Sequence, residues 1–260
     1  MQLVLSLFPG IGLLDQAFEA EGFCVVRGPD LLWGGDVRTF HPPAGRFDGV
    51  IGGPPCQAHS RLAALVRHVH GDDAVAPDMI PDFVRVIEEA RPAWFLMENV
   101  PGAPVPAPSG YEIRSSLINQ RWVPDATAQN RVRRFTFGTS GPVSPSGFQV
   151  ETTALEPFGY TNAVCASGTT WMIGIGGSGK PKPDSRFARH GRPEGRHSAA
   201  YLREACIAQG LPLEYLEKLT HPRRGPFTIR AAIHAIGNGV PLPLGRAVAR
   251  AVKAAIGEGA

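Results

Sequence analysis

The sequence predicts an α/β fold built from a nucleotide-binding-like core, an irregular insert and a closing helix. Three observations carry that prediction. Short apolar runs recur at residues 3–8, 23–26, 46–53 and 93–100. Helix-spaced patterns separate several of them, the order expected of strands and crossover helices. From about Gly141 to about Ala199 this texture gives way to Gly, Pro, Ser and Thr.

In chain order, LVLSLF (3–8) reads as a buried strand, PGIG as a turn, and LLDQAFEAEG (13–22) as an amphipathic helix stopped by Gly22. FCVV (23–26) is a second strand, and Gly35-Asp36-Val37 leads toward another strand–helix unit. RFDGVIGG (46–53) is a strand with a breaker, IPDFVRVIEEA (80–90) a helix, and AWFLMENV (93–100) another buried strand. Strands separated by helices predict a parallel sheet covered on both faces. Within GTTWMIGIGGSGKPKP (168–183), Trp171, Met172, Ile173 and Ile175 predict short strands of a small second domain. A helix over 198–210, stopped by Gly210 and Pro212, follows. PLGRAVARAVKAAIG (243–257) has helical apolar spacing and should pack on the core.

A chain of 260 residues with 43% hydrophobic content can build a sizeable core in one or two domains. It has no apolar run long enough to span a bilayer. Its first residues, MQLVLSLFPGIG, lack the basic start and small-residue cleavage site of a secretory signal, so a soluble intracellular protein is expected. Cys24, Cys56, Cys165 and Cys206 are scattered, which points to free thiols rather than to zinc or a disulfide framework. The net charge of +3 is only mildly basic. The run KPKPDSRFARHGRPEGR (180–196) holds a local surplus, which reads either as a solvated loop or as a phosphate-contacting segment.

The stretch VIGGPPCQAHS (50–60) fixes its backbone just ahead of a thiol. Pro54 and Pro55 set two φ angles, while Gly52 and Gly53 permit close approach. Cys56 follows a strand end, where open α/β sheets place their ligands. A buried cysteine in a tight turn is the commoner meaning of PPC alone. Other segments supply company for it. SLFPGIGLLDQAF (6–18) puts Gly10 and Gly12 between a strand and a helix, either as a plain turn or as a cradle for a cofactor. Asp36 stands where it can accept from an adenine amine or cap a helix. MENVPG (97–102) places Glu98 after an apolar strand, where a carboxylate is costly unless paired or functional. QNRVRRF (129–135) offers Arg131 and Arg133 on one face of an extended segment, or simply a charged strand edge.

In this order the segments resemble the cytosine-C5 DNA methyltransferase family, in a compact form similar to phage and orphan members. FPGIG (8–12), GDV (35–37), GGPPCQ (52–57), ENV (98–100), QNRVR (129–133), a weaker REACIAQGLP (203–212) and GNGVP (237–241) carry the resemblance. It implies a Rossmann-like S-adenosylmethionine-dependent methyltransferase core with a small irregular or β-rich target-recognition domain. The implied division is 1–141 plus 230–260 for catalysis and cofactor, and 142–229 for target recognition, with the reading itself falling to roughly 142–202.

The resemblance further implies methyl transfer from S-adenosyl-L-methionine to C5 of a cytosine flipped out of duplex DNA. Cys56 would add to C6, Glu98 would bind the ring at N3 and the amine, and Arg131 and Arg133 would hold the base carbonyl and nearby backbone. For the cofactor it implies Phe8, Gly10, Ile11, Gly12, Leu13, Asp36, Val37, Pro54, Asn238 and Val240. Asp30 is the nearest acid to the ribose position, in a connection shorter than the family's. Gln57 and Ser60 would face nucleic acid, and Lys180, Lys182, Arg186 and Arg189 would contact phosphate. His59 stands where the family carries an aromatic. No metal and no membrane are implied, and the expected form is a cytoplasmic monomer in a bacterial or phage-infected cell. The readings kept beside this are an RNA substrate, transfer of a modified group, and a non-catalytic nucleic-acid-binding relative. A dinucleotide oxidoreductase is disfavoured, because FPGIG lacks the GxGxxG spacing.

Overall fold

A computed structural model describes residues 1–59, 68, 75–127, 129–153, 161–163, 199–220 and 225–257. Its strands are β1 (Leu3–Leu7), β2 (Cys24–Arg27), β3 (Gly49–Gly52), β4 (Trp94–Asn99), β5 (Glu112–Asn119), β6 (Gln129–Asn130), β7 (Val132–Thr139) and β8 (Thr161–Asn162). Its helices are α1 (Leu13–Ala20), α2 (Ile80–Ala90), α3 (Ala199–Ala208), α4 (Glu214–Thr220), α5 (Ile229–Asn238) and α6 (Leu242–Gly257). The strands predicted for 3–8, 23–26, 46–53 and 93–100 form within a residue or a few of those bounds. The strands expected in 168–183 lie outside the described residues.

The main sheet has six strands in the order β2-β1-β3-β4-β7-β5. β2, β1, β3 and β4 run parallel, while β7 is antiparallel to both β4 and β5. The expectation of a parallel sheet is corrected on that side. Between β5 and β7 the chain makes only a short 3-10 turn at Gln120–Trp122 and the two residues of β6. With no crossover helix between them, neighbouring strands pair antiparallel.

Side-chain alternation sorts the central strands onto two faces. Val4, Trp94 and Leu96 join Phe18 of α1 and Leu244, Val248 and Val252 of α6 in one core. Leu5, Leu7, Phe95 and Met97 point the other way, onto Phe83, Val86 and Ile87 of α2. Burial on both faces explains why these strands read as continuous apolar runs. A third core joins α3, α4 and α5 to Ile11 and Leu13 at the start of α1, through Tyr201, Leu202, Leu219, Ile233 and Ile236.

Register places the functional ends. Leu7 of β1 lies opposite Gly52 of β3, and Gly52 lies opposite Met97 of β4. The three strands therefore finish at nearly one level, and the loops after them meet on the carboxyl edge of the sheet. Phe83 supports that edge from below: a methyl group added at Gly52 would come within 2.9 Å of its ring. Phe83→Ala should lower the unfolding free energy by about 3–5 kcal/mol, the range for emptying a buried aromatic site. Urea titration monitored by circular dichroism checks this, and a loss below about 1 kcal/mol would contradict the placement of this ring in the core.

Candidate active site

A cleft of about 810 Å³ runs along the carboxyl ends of β1, β3 and β4, with α5 as its far wall. One end is built on FPGIG. Phe8 has φ +55°, a left-handed conformation that costs a bulky residue on the order of 1–2 kcal/mol. Gly10 follows at φ +56°, and a methyl group there would meet nothing within 4 Å, so that side stands open to the cleft. The Gly10 peptide is gripped from both sides. Its N–H donates to Asp30 Oδ2 at 2.7 Å, and its carbonyl accepts from Trp33 Nε1 at 2.7 Å. Asp30 Oδ1 also accepts from the Leu32 amide at 2.7 Å. Asp30 thus sits on the cleft wall and braces the glycine turn through both oxygens.

Gly12 is also left-handed, at φ +76°, and the Arg27 guanidinium lies where its side chain would stand. Arg27 Nε pairs with Asp15 at 2.9 Å, and Ser6 Oγ donates to the same carboxylate at 2.5 Å. Asp15 is fully buried in the cleft wall, and burial raises its pKa against the opposing pull of Ser6 and Arg27. Sequence reasoning missed this carboxylate, because an acid in the first turn of a helix already has an explanation in the helix dipole. Asp36 caps a 3-10 turn and is forked by Arg38 at 2.6 Å. Hydrogen bonds from the Arg38 side chain and backbone hold its carboxyl below the usual range.

The other end of the cleft carries the thiol. Gly52 and Gly53 are not left-handed; crowding selects them. A methyl group on Gly52 would strike the Leu7 carbonyl at 2.8 Å, and one on Gly53 would come within 3.2 Å of Glu98 Oε2. After Pro54 and Pro55, Cys56 opens a short 3-10 turn and faces the cleft. Burial pushes its thiol upward; Arg133 pulls it down, Glu98 pushes it up again, and Arg131 pulls it down more weakly. The resting group is a protonated thiol at neutral pH. Cys206, buried in α3, is pushed up to about 11 by burial.

Each residue of ENV has a task. Glu98 is 8% exposed and pairs with Arg133 Nε at 2.9 Å. Asn99 Nδ2 donates to the Pro54 carbonyl at 3.2 Å, tying the end of β4 to the proline turn, and its Oδ1 accepts from the Val100 amide at 2.8 Å. Arg134 Nη2 donates to the Pro101 carbonyl at 2.5 Å. His59, just after the thiol turn, lies with Nε2 3.0 Å from Asp78 Oδ1, which also accepts from the Ile80 amide at the start of α2.

Arg131 and Arg133 both line the cleft, but they do not share one task. The sequence expectation treated 129–135 as a single extended segment. In the structure β6 ends at Asn130 and pairs with β8, while β7 begins at Val132 in the main sheet. Arg131 falls at the break, and its Nη2 donates to the carbonyls of Gly237 and Gly239 at 3.0 and 3.1 Å. Of the other expected residues, Ile11, Leu13, Val37, Pro54, Gln57, Asn238 and Val240 line the same cleft. Gly12 stands behind it under Arg27. Ser60, Lys180, Lys182, Arg186 and Arg189 lie outside the described residues. Arg230 and His234 of α5 also line the cleft and carried no sequence motif that would have singled them out.

The α/β sheet, with its cleft at the strand ends and a glycine turn after β1, is a Rossmann-like fold. The whole chain superposes on the Entamoeba histolytica methyltransferase EhMeth with a TM-score of 0.60 at 11% identity, covering 100% of this chain and 99% of that one. Residues 34–106 match the C-5 cytosine-specific DNA methylase family. It is 32% identical over 117 residues to the type II methyltransferase M.NgoPII of Neisseria gonorrhoeae, covering 38% of this chain and 33% of that protein. It is 26% identical over 168 residues to the orphan methyltransferase M.SPRI of Bacillus phage SPR, covering 52% and 37% respectively. The match therefore spans about a third of the length of such relatives. Among the described residues no helix is long and apolar enough to cross a membrane.

The electrostatics make one expectation independent of any substrate. Glu98 holds the Cys56 thiol up, so Glu98→Gln should shift the pH profile of Cys56 alkylation by iodoacetamide to lower pH. Peptide mass spectrometry reads the Cys56 site alone. A profile that stays in place or moves upward would contradict the coupling.

Proposed function

We propose that the chain is an S-adenosylmethionine-dependent DNA cytosine-C5 methyltransferase acting through a covalent adduct at Cys56. The observation that carries this reading is the convergence of three groups on one cleft wall. A thiol after β3, a carboxylate at the end of β4 and a guanidinium at the start of β7 all face the same space. A pure binding protein has no chemical use for a nucleophile set beside a paired acid and base-holding cation.

The residues fit an adenosyl cation of this size. The cleft volume lies within the range of small-molecule sites. Phe8, Ile11, Leu13, Val37, Pro54 and Val240 offer apolar walls, Gly10 leaves an open cradle, and Asp30, Asp36 and Asn238 add polar groups. Acidic side chains suit a ligand with a positive sulfonium. When bound, S-adenosylmethionine supplies an electrophilic methyl group.

The chain's own residues do the rest. Cytosine C5 is a weak nucleophile, so Cys56 Sγ, after losing its proton, bonds to C6 and sends the C5–C6 π pair to C5. Glu98, protonated, donates to ring N3 and accepts from the exocyclic amine as charge builds there, and Arg133 turns from its carboxylate partner to the base carbonyl. Once C5 holds the methyl group, its donor having left as a neutral thioether, the C5 proton passes to water, the freed electron pair re-forms the C5–C6 double bond and the thiolate departs. The base is accessible to Sγ only outside the stack, so the duplex must release it. The Pro54-Pro55 turn, tied down by Asn99, limits positional error in the sulfur.

Residues 1–141 with 230–260 form the catalytic and cofactor unit in this proposal, and 142–229 carries target recognition. The reading surface falls before α3, because α3 and α4 share a core with α5. Gln57, Ser60, Lys180, Lys182, Arg186 and Arg189 are the proposed DNA contacts. The protein works on duplex DNA as a monomer in the cytoplasm. Incubation with methyl-labelled cofactor and either duplex DNA or RNA, followed by nucleoside mass spectrometry, should yield 5-methylcytosine from DNA. Cys56→Ser should reduce that yield by on the order of 10³-fold or more, as for loss of other catalytic nucleophiles. Label in RNA alone, or an undiminished rate in the serine variant, would overturn the proposal.

A further inference from the structure

At the C-terminus of α5 the carbonyls run out of helical partners; the Ile236 carbonyl accepts the Gly239 amide at 3.1 Å and has room for a second donor. Here buried side chains from two other elements satisfy them. Arg131, 2% exposed, donates to Gly237 and Gly239. Gln209, fully buried just past α3, donates from Nε2 to the carbonyls of Ile236 at 2.6 Å and Gly239 at 3.2 Å. Gln129 donates to the Ala208 carbonyl at 2.8 Å and to Gln209 Oε1 at 3.2 Å. The Leu242 amide closes the ring of contacts by donating to the Gln209 carbonyl at 3.0 Å.

This hub grips the segment from Ile236 to Leu242, which includes the GNGV residues facing the cleft. A cation at a helix C-terminus is favourable, and a charge-assisted bond in a buried setting is stronger than a neutral one. The segment is also pressed onto the start of α1, where a methyl group at Gly239 would come within 2.5 Å of Leu13 Cδ1. Fixing Gly239 therefore fixes the distance between the two walls that Leu13 and Val240 contribute to the cleft.

We propose that Arg131, with Gln129 and Gln209, is a positioning group that sets the cofactor-facing wall of the cleft. Only Arg133 of the two motif arginines addresses the base. The first half of QNRVR thus serves the cofactor side, and the second half serves the nucleotide side. The assignment rests on the reading of the cleft as an S-adenosylmethionine site.

Two variants and two readouts test it. Binding of S-adenosylhomocysteine is measured by calorimetry without nucleic acid, and amide hydrogen exchange is followed over 236–240. Arg131→Met and Gln209→Met should each weaken binding about ten-fold or more, the size expected for losing buried, partly charge-assisted bonds. Each should also speed exchange at Asn238–Val240 and raise the cofactor KM while kcat at saturating cofactor stays within about threefold. Unchanged binding and exchange in Arg131→Met, with a fall in kcat or in nucleic-acid affinity, would assign Arg131 to the base and overturn the proposal. If Arg131→Met does not fold, Gln209→Met decides, since it releases the same Gly239 carbonyl. Wild-type protein that binds no cofactor would sink the functional reading alone; the exchange data would still support the hub if both variants loosen 236–240, and refute it if they do not.

Discussion

The ion pair between Glu98 and Arg133 is the constraint on which the rest of the site depends. A pair this deeply placed gains Coulomb energy but loses hydration on both sides, and in a purely structural setting apolar residues would serve as well. It exists where three structural decisions meet. β4 must end at the carboxyl edge to deliver Glu98, β7 must start there to deliver Arg133, and the turn after β3 must leave room beside the carboxylate. The antiparallel pairing of Asn99 with Arg134 meets the first two requirements. The absence of a side chain at Gly53 meets the third. An all-parallel sheet would have brought the wrong end of the last strand to this edge.

That pair also tunes the thiol. Cys56 lies in a field where burial and Glu98 favour the neutral form while Arg133 and Arg131 favour the thiolate. In the proposed reaction Arg133 and Glu98 would take up the base and so change the balance around the sulfur when the nucleophile is needed. A thiol that rests protonated is also protected from adventitious oxidation and alkylation, since the thiolate is the reactive form.

Much of this was legible in the sequence. Strand and helix positions in the first hundred residues followed from apolar runs and glycine or proline stops, and motif order singled out Cys56, Glu98 and Arg133, which the fold brings to one cleft. Three features were not. The antiparallel β5–β7 pair was hidden because EIRSSLIN, partly exposed along much of its length, lacks the apolar run that marks a buried strand. The place of Arg131 was hidden because a two-residue spacing was read as one strand face, whereas the chain changes sheets at that residue. The Asp15–Ser6–Arg27 cluster escaped for a related reason: each member has an ordinary local explanation, and only the fold brings them together. Gly52 and Gly53 were expected to permit an unusual path and close approach of another molecule, whereas neither has a positive φ and what crowds them is the chain's own Leu7, Phe83 and Glu98, which is tertiary information.

Trapping on duplex DNA containing 5-fluorocytosine tests most directly whether Cys56, Glu98 and Arg133 act on one pyrimidine. Fluorine at C5 cannot leave as a proton does, so an adduct formed during turnover persists. With S-adenosylmethionine present, the account predicts one covalent DNA complex per chain, with peptide mapping placing the bond at Cys56. Turnover on ordinary DNA without any such complex, or a crosslink through a different residue, would contradict it.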